Sequence, residues 1–364
     1  MGQKTISRET FRHWLADGNE LAVFDIREPD VVGYASPLFA TNLPADRVVR
    51  ELSRFVPRKV VRTVLADGGD GAAERLAAEL AVAGWPNLFA LDGGIPGWTA
   101  DGEGAELPTF DTPGVDFTLA VKEEKGTPVI SADELKRLRD AGEDVIVIDT
   151  RTVPEFAREH VPGAVSVPGA ELVLRFKDVV PSEKTRVVVS CAGLPRAILG
   201  AQTLIDAQVP NKVSYLHDGT KAWTAAGLSL ETGKTHTYGQ ASETAVEFAR
   251  RQIGILSSSD NFPEIDIATA RAWAADPDRT TYLLDVRTPE EFETGHLDGT
   301  LSSEGGQLLG VAYRTIAVRG ARVVLVDDLI GARARIVAHW LQRRGYEIAI
   351  LLIDFASQKL SNVA

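Results

Sequence analysis

The chain is poor in cysteine: it has one, Cys191, in 364 residues. A single thiol closes no internal disulfide and supplies no Cys-x-x-Cys metal site or redox pair. Apolar runs are short. None approaches the roughly 18 residues that span a bilayer, so no membrane-crossing helix is expected. The opening stretch, MGQKTISRETFRHWLADGNE, lacks the apolar segment of a secretory signal. Positive charge is also scarce. The 39 Lys and Arg against 51 Asp and Glu leave a net charge of −12, which argues against a nucleic-acid-binding surface. No glycine-rich phosphate loop joins a strand to a helix, and no spacing of hard oxygen ligands suits a metal. No cofactor, nucleotide or metal is therefore expected. What is present is ordinary for a globular chain: 44% hydrophobic and 25% charged residues. The length fits two or three domains, and a cytoplasmic, multi-domain α/β protein is the simplest class.

The chain repeats itself. Leu21–Arg27, Val145–Arg151 and Tyr282–Arg287 are apolar runs that end in Asp-x-Arg, at Asp25, Asp149 and Asp285. A helical pattern precedes each. A second apolar run, a glycine-containing turn, an Ala/Leu/Arg-rich helical stretch and a third apolar run follow each. Continuous Val/Ile/Leu runs alternating with helices predict βαβ units and mainly parallel sheets. The expected organisation is three tandem α/β domains at 1–102, 127–232 and 261–364. The polar stretches 103–126 and 233–260 read as linkers that pack on the surface, the second carrying one helix.

The repeat gives the cysteine a context. Asp149 to Cys191 is 42 positions, and the same step from Asp25 and Asp285 lands on Asp67 and Asp327. Five residues on, the middle copy has Arg196 where the others have Ala72 and Ala332. The thiol and the arginine are thus expected together in the middle copy and both absent from the other two. Cys191 closes an apolar strand and precedes a helix. Ligands of open α/β sheets bind at such carboxyl strand ends. Loop amides and the helix N-terminus there favour an anion and are expected to lower the thiol pKa. The alternative is a small buried core cysteine.

These residues resemble the rhodanese family. DVRTPEEFETGHLDG in copy three is similar to the family's Asp-x-Arg-x-x-x-Glu-Phe signature. DTRTVPEFAREHVPGA in copy two follows it, with Glu159 in place of the usual glycine. CAGLPR, Cys191–Arg196, resembles the six-residue active-site loop. LDGGIPGW and LHDGTKAW resemble the terminal Gly-Gly-x-x-x-Trp mark, decayed in copy three to LIDFASQK. Four residues between Cys and Arg match this family; the related cysteine phosphatases carry five.

The resemblance implies a sulfurtransferase. Cys191 would take sulfur from a donor such as thiosulfate as a persulfide and pass it to cyanide or a thiol. The backbone of Ala192, Gly193, Leu194, Pro195, Arg196 and Ala197 would cradle the anion, with Pro195 contributing no N–H. The competing reading is a non-catalytic sulfur carrier or interaction scaffold. The expected partners are a small sulfur donor and a thiophilic acceptor, with a homodimer or an acceptor protein as macromolecular partner. Arg175 and Lys177 form a basic rim beside the middle loop, or else a solvated face. His160 and His296 read as hydrogen-bonded structural residues, the three Asp-x-Arg pairs as structural ion pairs, and Trp98 and Trp223 as packing of terminal turns.

Overall fold

The computed structural model describes residues 4–32, 40–100, 112–233 and 236–357. The acid- and glycine-rich start of the first expected linker, 103–111, and the end of the third repeat lie outside them. Apolar runs too uniform to present a wet face become buried strands. Strands Thr5–Ile6 (β1), Leu21–Asp25 (β2), Thr41–Asn42 (β3), Arg62–Ala66 (β4) and Leu88–Leu91 (β5) build the first sheet. Val129–Ile130 (β6), Val145–Asp149 (β7), Val165–Ser166 (β8), Arg186–Ser190 (β9) and Val213–Leu216 (β10) build the second. Thr281–Asp285 (β11), Leu301–Ser302 (β12), Val318–Arg319 (β13), Arg322–Asp328 (β14) and Glu347–Ile353 (β15) follow.

The first sheet runs β1-β5-β4-β2-β13, with β3 also paired to β2. The second runs β6-β10-β9-β7-β8 and the third β12-β11-β14-β15. Pairing in the first two is parallel except where β13 joins β2 antiparallel. The α/β class and mainly parallel sheets flanked by helices are thus as expected. One register decides where the chemistry sits: Asp149 at the end of β7 lies opposite Ser190 at the end of β9. The Asp-x-Arg turn and Cys191 therefore emerge side by side at the carboxyl edge.

The chain divides into two compact units. One is Met1–Pro113 with Arg271–Tyr282 and Val311–Val323; the other is Gly114–Ala270 with Leu283–Gly310 and Val324–Ala364. Two segments of the third repeat thus belong with the first repeat. In the first unit, the Tyr282 hydroxyl donates to Phe55 O at 2.5 Å and accepts from Val318 N at 3.0 Å.

The described parts of the expected linkers include two helices, each with buried residues. Helix Glu243–Leu256 buries Phe248, Ala249, Ile253 and Leu256, and Phe248 stacks on Phe176 at 5.6 Å. Its apolar positions recur at helical spacing, so one face must be covered. Helix Thr112–Lys125 likewise buries Thr118 and Val121. On the first of these helices Glu243, Glu247, Arg250 and Arg251 stay exposed.

Candidate active site

Cys191 is the first residue after β9 and is 2% exposed. The loop Ala192–Leu194 turns the chain into helix Pro195–Asp206. Pro195 stands in its first turn, where a missing N–H costs no hydrogen bond. Gly193 N donates to Cys191 Sγ at 3.3 Å, and the Ala197 amide also hydrogen-bonds the sulfur. The Cys191 carbonyl accepts from Thr220 N at 3.0 Å. This contact requires Gly219, whose φ is +50°. A Cβ there would stand 1.9 Å from Cys191 O. The terminal glycine motif thus lets a turn pass directly against the cysteine backbone.

Arg196 is buried and binds Glu155 through two bonds of 2.8 Å. Glu155 in turn accepts from Thr152 N and Oγ1 in a capping box that opens helix Val153–Arg158. Burial works against the Glu155 carboxylate, but Arg196 and Thr152 outweigh it and hold its pKa down at about 2. Sequence reasoning did not single out Glu155. Its signal was present: a glutamate six positions after the Asp of Asp-x-Arg, shared by Glu155 and Glu291 and replaced by Val31 in the first repeat.

The thiol itself departs from expectation. Burial is the strongest influence on Cys191 and pushes its pKa above the ordinary value. Arg196 and the Gly193 and Ala197 amides pull it back, and Asp149 adds to the rise. The cradle acts as expected, but desolvation of the charged form exceeds it.

The basic rim is corrected. Arg175 is buried, binding Glu171 at 2.7 Å and Gly239 O at 3.0 Å, and stacks on Tyr238. Lys177 approaches Glu183 at 3.4 Å and lies 5.1 Å from the Phe248 ring. Both are committed to local partners because helix Leu172–Val179 is covered by Glu243–Leu256 and carries Glu171 just before it. Among the described residues no group of three or more His, Cys, Asp or Glu could hold a metal ion.

A Rhodanese-like domain model matches residues 131–226, the segment that holds this loop. The solved thiosulfate sulfurtransferase of Pseudomonas aeruginosa superposes with a TM-score of 0.91 and 39% identity over 99% of this chain and 69% of that one. The chain belongs to the rhodanese family. Two curated relatives share shorter segments. An HTH-type transcriptional regulator of Mycobacterium tuberculosis is 32% identical over 120 residues, 32% of this chain and 52% of its own. A Bacillus subtilis protein described as a sulfur carrier is 28% identical over 97 residues, 27% of this chain and 51% of its own. The matches thus span about half the length of these curated relatives.

The other two repeats place an aspartate side chain at the matching position. Asp67 accepts from Gly69 N and Ala73 N, each at 2.9 Å. Asp327 accepts from Asp328 N and Ala334 N, also at 2.9 Å. In the first repeat the glycine contact persists: Ile95 N donates to Asp67 O at 2.8 Å, and Gly94 has φ +55°. The third repeat has Phe355 at that place, with the Arg287 guanidinium 3.3 Å from its ring centre.

The arginine is not lost from the third repeat. Arg333, one residue beyond the expected position, binds Glu291 at 2.9 Å and reaches Asp327 at 3.3 Å. It also pairs with buried Glu171. The extra residue in this loop defeats a fixed five-residue step.

The remaining assignments fit the described geometry. Asp25–Arg27, Asp149–Arg151 and Asp285–Arg287 are side-chain pairs at 2.6, 2.8 and 2.7 Å. Arg151 also donates to Glu159 O, and Arg287 to Gly295 O. Glu159 replaces the usual glycine without strain, since its φ of −168° is extended backbone. His160 and His296 bond the carbonyls of Phe156 and Phe292 and stack on those rings. Trp98 and Trp223 lie in the cores of their repeats.

Proposed function

We propose that this protein is a sulfurtransferase with one reacting sulfur, Cys191, in the middle of its three rhodanese repeats. The Cys191 thiolate attacks the outer sulfur of a donor such as thiosulfate. An S–S bond forms, the donor's S–S bond breaks, and sulfite leaves with the bonding pair. A thiophilic acceptor, cyanide or a thiol, then takes the sulfur and restores the thiolate. The observation that carries this reading is the convergence of the Gly193 and Ala197 amides on Sγ with Arg196 beside it. The same donors suit the negative terminal sulfur of a persulfide. The activity of the Pseudomonas aeruginosa neighbour supports it.

The domains run 1–102, 127–232 and 261–364, with the first and third catalytically silent. Leu194 offers no charge, so Arg196 and the loop amides carry donor recognition. The partners are a small sulfur donor and a thiophilic acceptor, and the setting is cytoplasmic. A sulfur-carrier role, suggested by the Bacillus subtilis relative, shares the persulfide and lacks the turnover. Intact mass after donor exposure tests the reading. It should show a gain of one sulfur atom that Cys191→Ser lacks. No gain from thiosulfate or any other donor tried sinks it. Turnover with cyanide separates enzyme from carrier.

A further inference from the structure

The second and third repeats exchange contacts at equivalent positions. Asp149 to Glu171 is 22 positions, as is Asp285 to Gln307. Each reaches the Arg–Glu pair of the other repeat. Glu171 receives Arg333, the partner of Glu291. Gln307 Nε2 donates to Glu155 Oε2 at 3.2 Å, and Glu155 is the partner of Arg196. Small residues permit the approach. A Cβ on Gly306 would lie 3.1 Å from Gly169 N, and one on Gly305 2.7 Å from Ala170 Cβ. The exchange is symmetric in position and asymmetric in charge: a carboxylate faces the silent pair, and a neutral amide faces the pair beside Cys191.

We propose that Gln307, on the cysteine-less third repeat, is a positioning residue for the Cys191 site. Given Cys191 as the reacting sulfur, its amide holds Glu155 on Arg196, and its neutrality adds no carboxylate at the position that Glu171 fills beside Arg333. Arg333 shows the alternative, drawn among Glu171, Glu291, Asp327 and Asp328. An arginine so matched stabilises an anionic sulfur less, because each nearby carboxylate offsets its field. The charged groups that face the thiol and this pair are Asp149, Arg151, Arg196 and Glu155 from the second repeat and Glu304 from the third.

The test is the pH dependence of Cys191 alkylation by iodoacetamide in the full chain, with thermal melting as the folding control. Gln307→Glu should move the midpoint upward by about one pH unit, as a like charge near an ionising group does. Gln307→Ala should move it upward by less. Unchanged midpoints in folded Gln307→Glu and Gln307→Ala overturn the proposal, as does lowered melting with an unchanged midpoint. If Gln307→Glu does not fold, the alanine variant decides. Alkylation needs no sulfur donor. Failure of wild type to load sulfur would therefore remove the sulfurtransferase reading and leave the midpoints to judge Gln307.

Discussion

The second and third repeats share a plan and differ in their buried charges. Both place a capping-box glutamate, Glu155 or Glu291, on an arginine at the helix start. In the second repeat that arginine stands beside a thiol. In the third, Asp327 takes the thiol's place in a carboxyl cluster centred on Arg333, and burial raises its pKa to about 7. The exchange of Cys for Asp puts a carboxyl group where the second repeat has its thiol. The first repeat shows the simpler loss: Asp67 satisfies the cradle, while Val31 and Ala72 replace both members of the Arg–Glu pair. The two repeats thus depart from the second in different ways: the third keeps the Arg–Glu pair beside its carboxyl group, and the first lacks it.

The largest test of this contrast removes the nucleophile. Cys191→Ser should lower sulfur transfer to cyanide by at least about a thousandfold, because the hydroxyl stays protonated and forms no persulfide. Measurable transfer from the variant would show that the reacting group lies elsewhere. Breaking the third repeat's cluster should instead cost stability. Arg333→Ala leaves Asp327 buried without its cation and Glu171 with Arg175 alone, at a cost of about 3–5 kcal/mol. Urea unfolding measures this, and a change below about 1 kcal/mol would mean that the cluster contributes little.

Gly219→Ala probes the turn that the third repeat replaced with Phe355. Its Cβ cannot coexist with Cys191 O, so a loss of about 1–3 kcal/mol and slower Cys191 alkylation are expected. An unaltered alkylation rate would detach the glycine motif from the thiol.

The smallest effect concerns Glu304 of the third repeat. Burial, then Glu171, Glu155 and Glu290, raise its pKa to about 7, with Arg196 opposing. A carboxyl raised above its unfolded value favours the protonated native state, so stability falls as pH rises from about 4.5 towards 7. Glu304→Gln should therefore be more stable than wild type by about 1–2 kcal/mol at pH 8, with the difference vanishing near pH 4. Equal urea midpoints at pH 8 would place Glu304 in better-solvated surroundings.

Much of the plan was legible. The period of the apolar runs reports burial on both sheet faces, which any parallel α/β sheet requires. The three Asp-x-Arg pairs persist with or without cysteine, so their structural role could be read from recurrence. The cysteine's place at a strand end followed from counting. What was hidden depended on non-local geometry. Arg333 escaped a fixed offset because its loop is one residue longer. Arg175 looked like a free cation until Glu171 and Gly239 met it. Helix Glu243–Leu256 fell within an expected linker because the stretch before it is polar, and its buried face shows only in the fold.

The sequence by itself determined the repeat, the α/β class and the identity of the single thiol, because these depend on pattern and residue type along the chain. Only the tertiary structure decided how that thiol is surrounded. It buried Cys191 deeply enough to raise its pKa against the pull of its own cradle. It also brought Gln307 from the third repeat to Glu155 in the second. The reason is physical: desolvation and charge fall off through space, and residues 152 positions apart become neighbours only when the chain has folded.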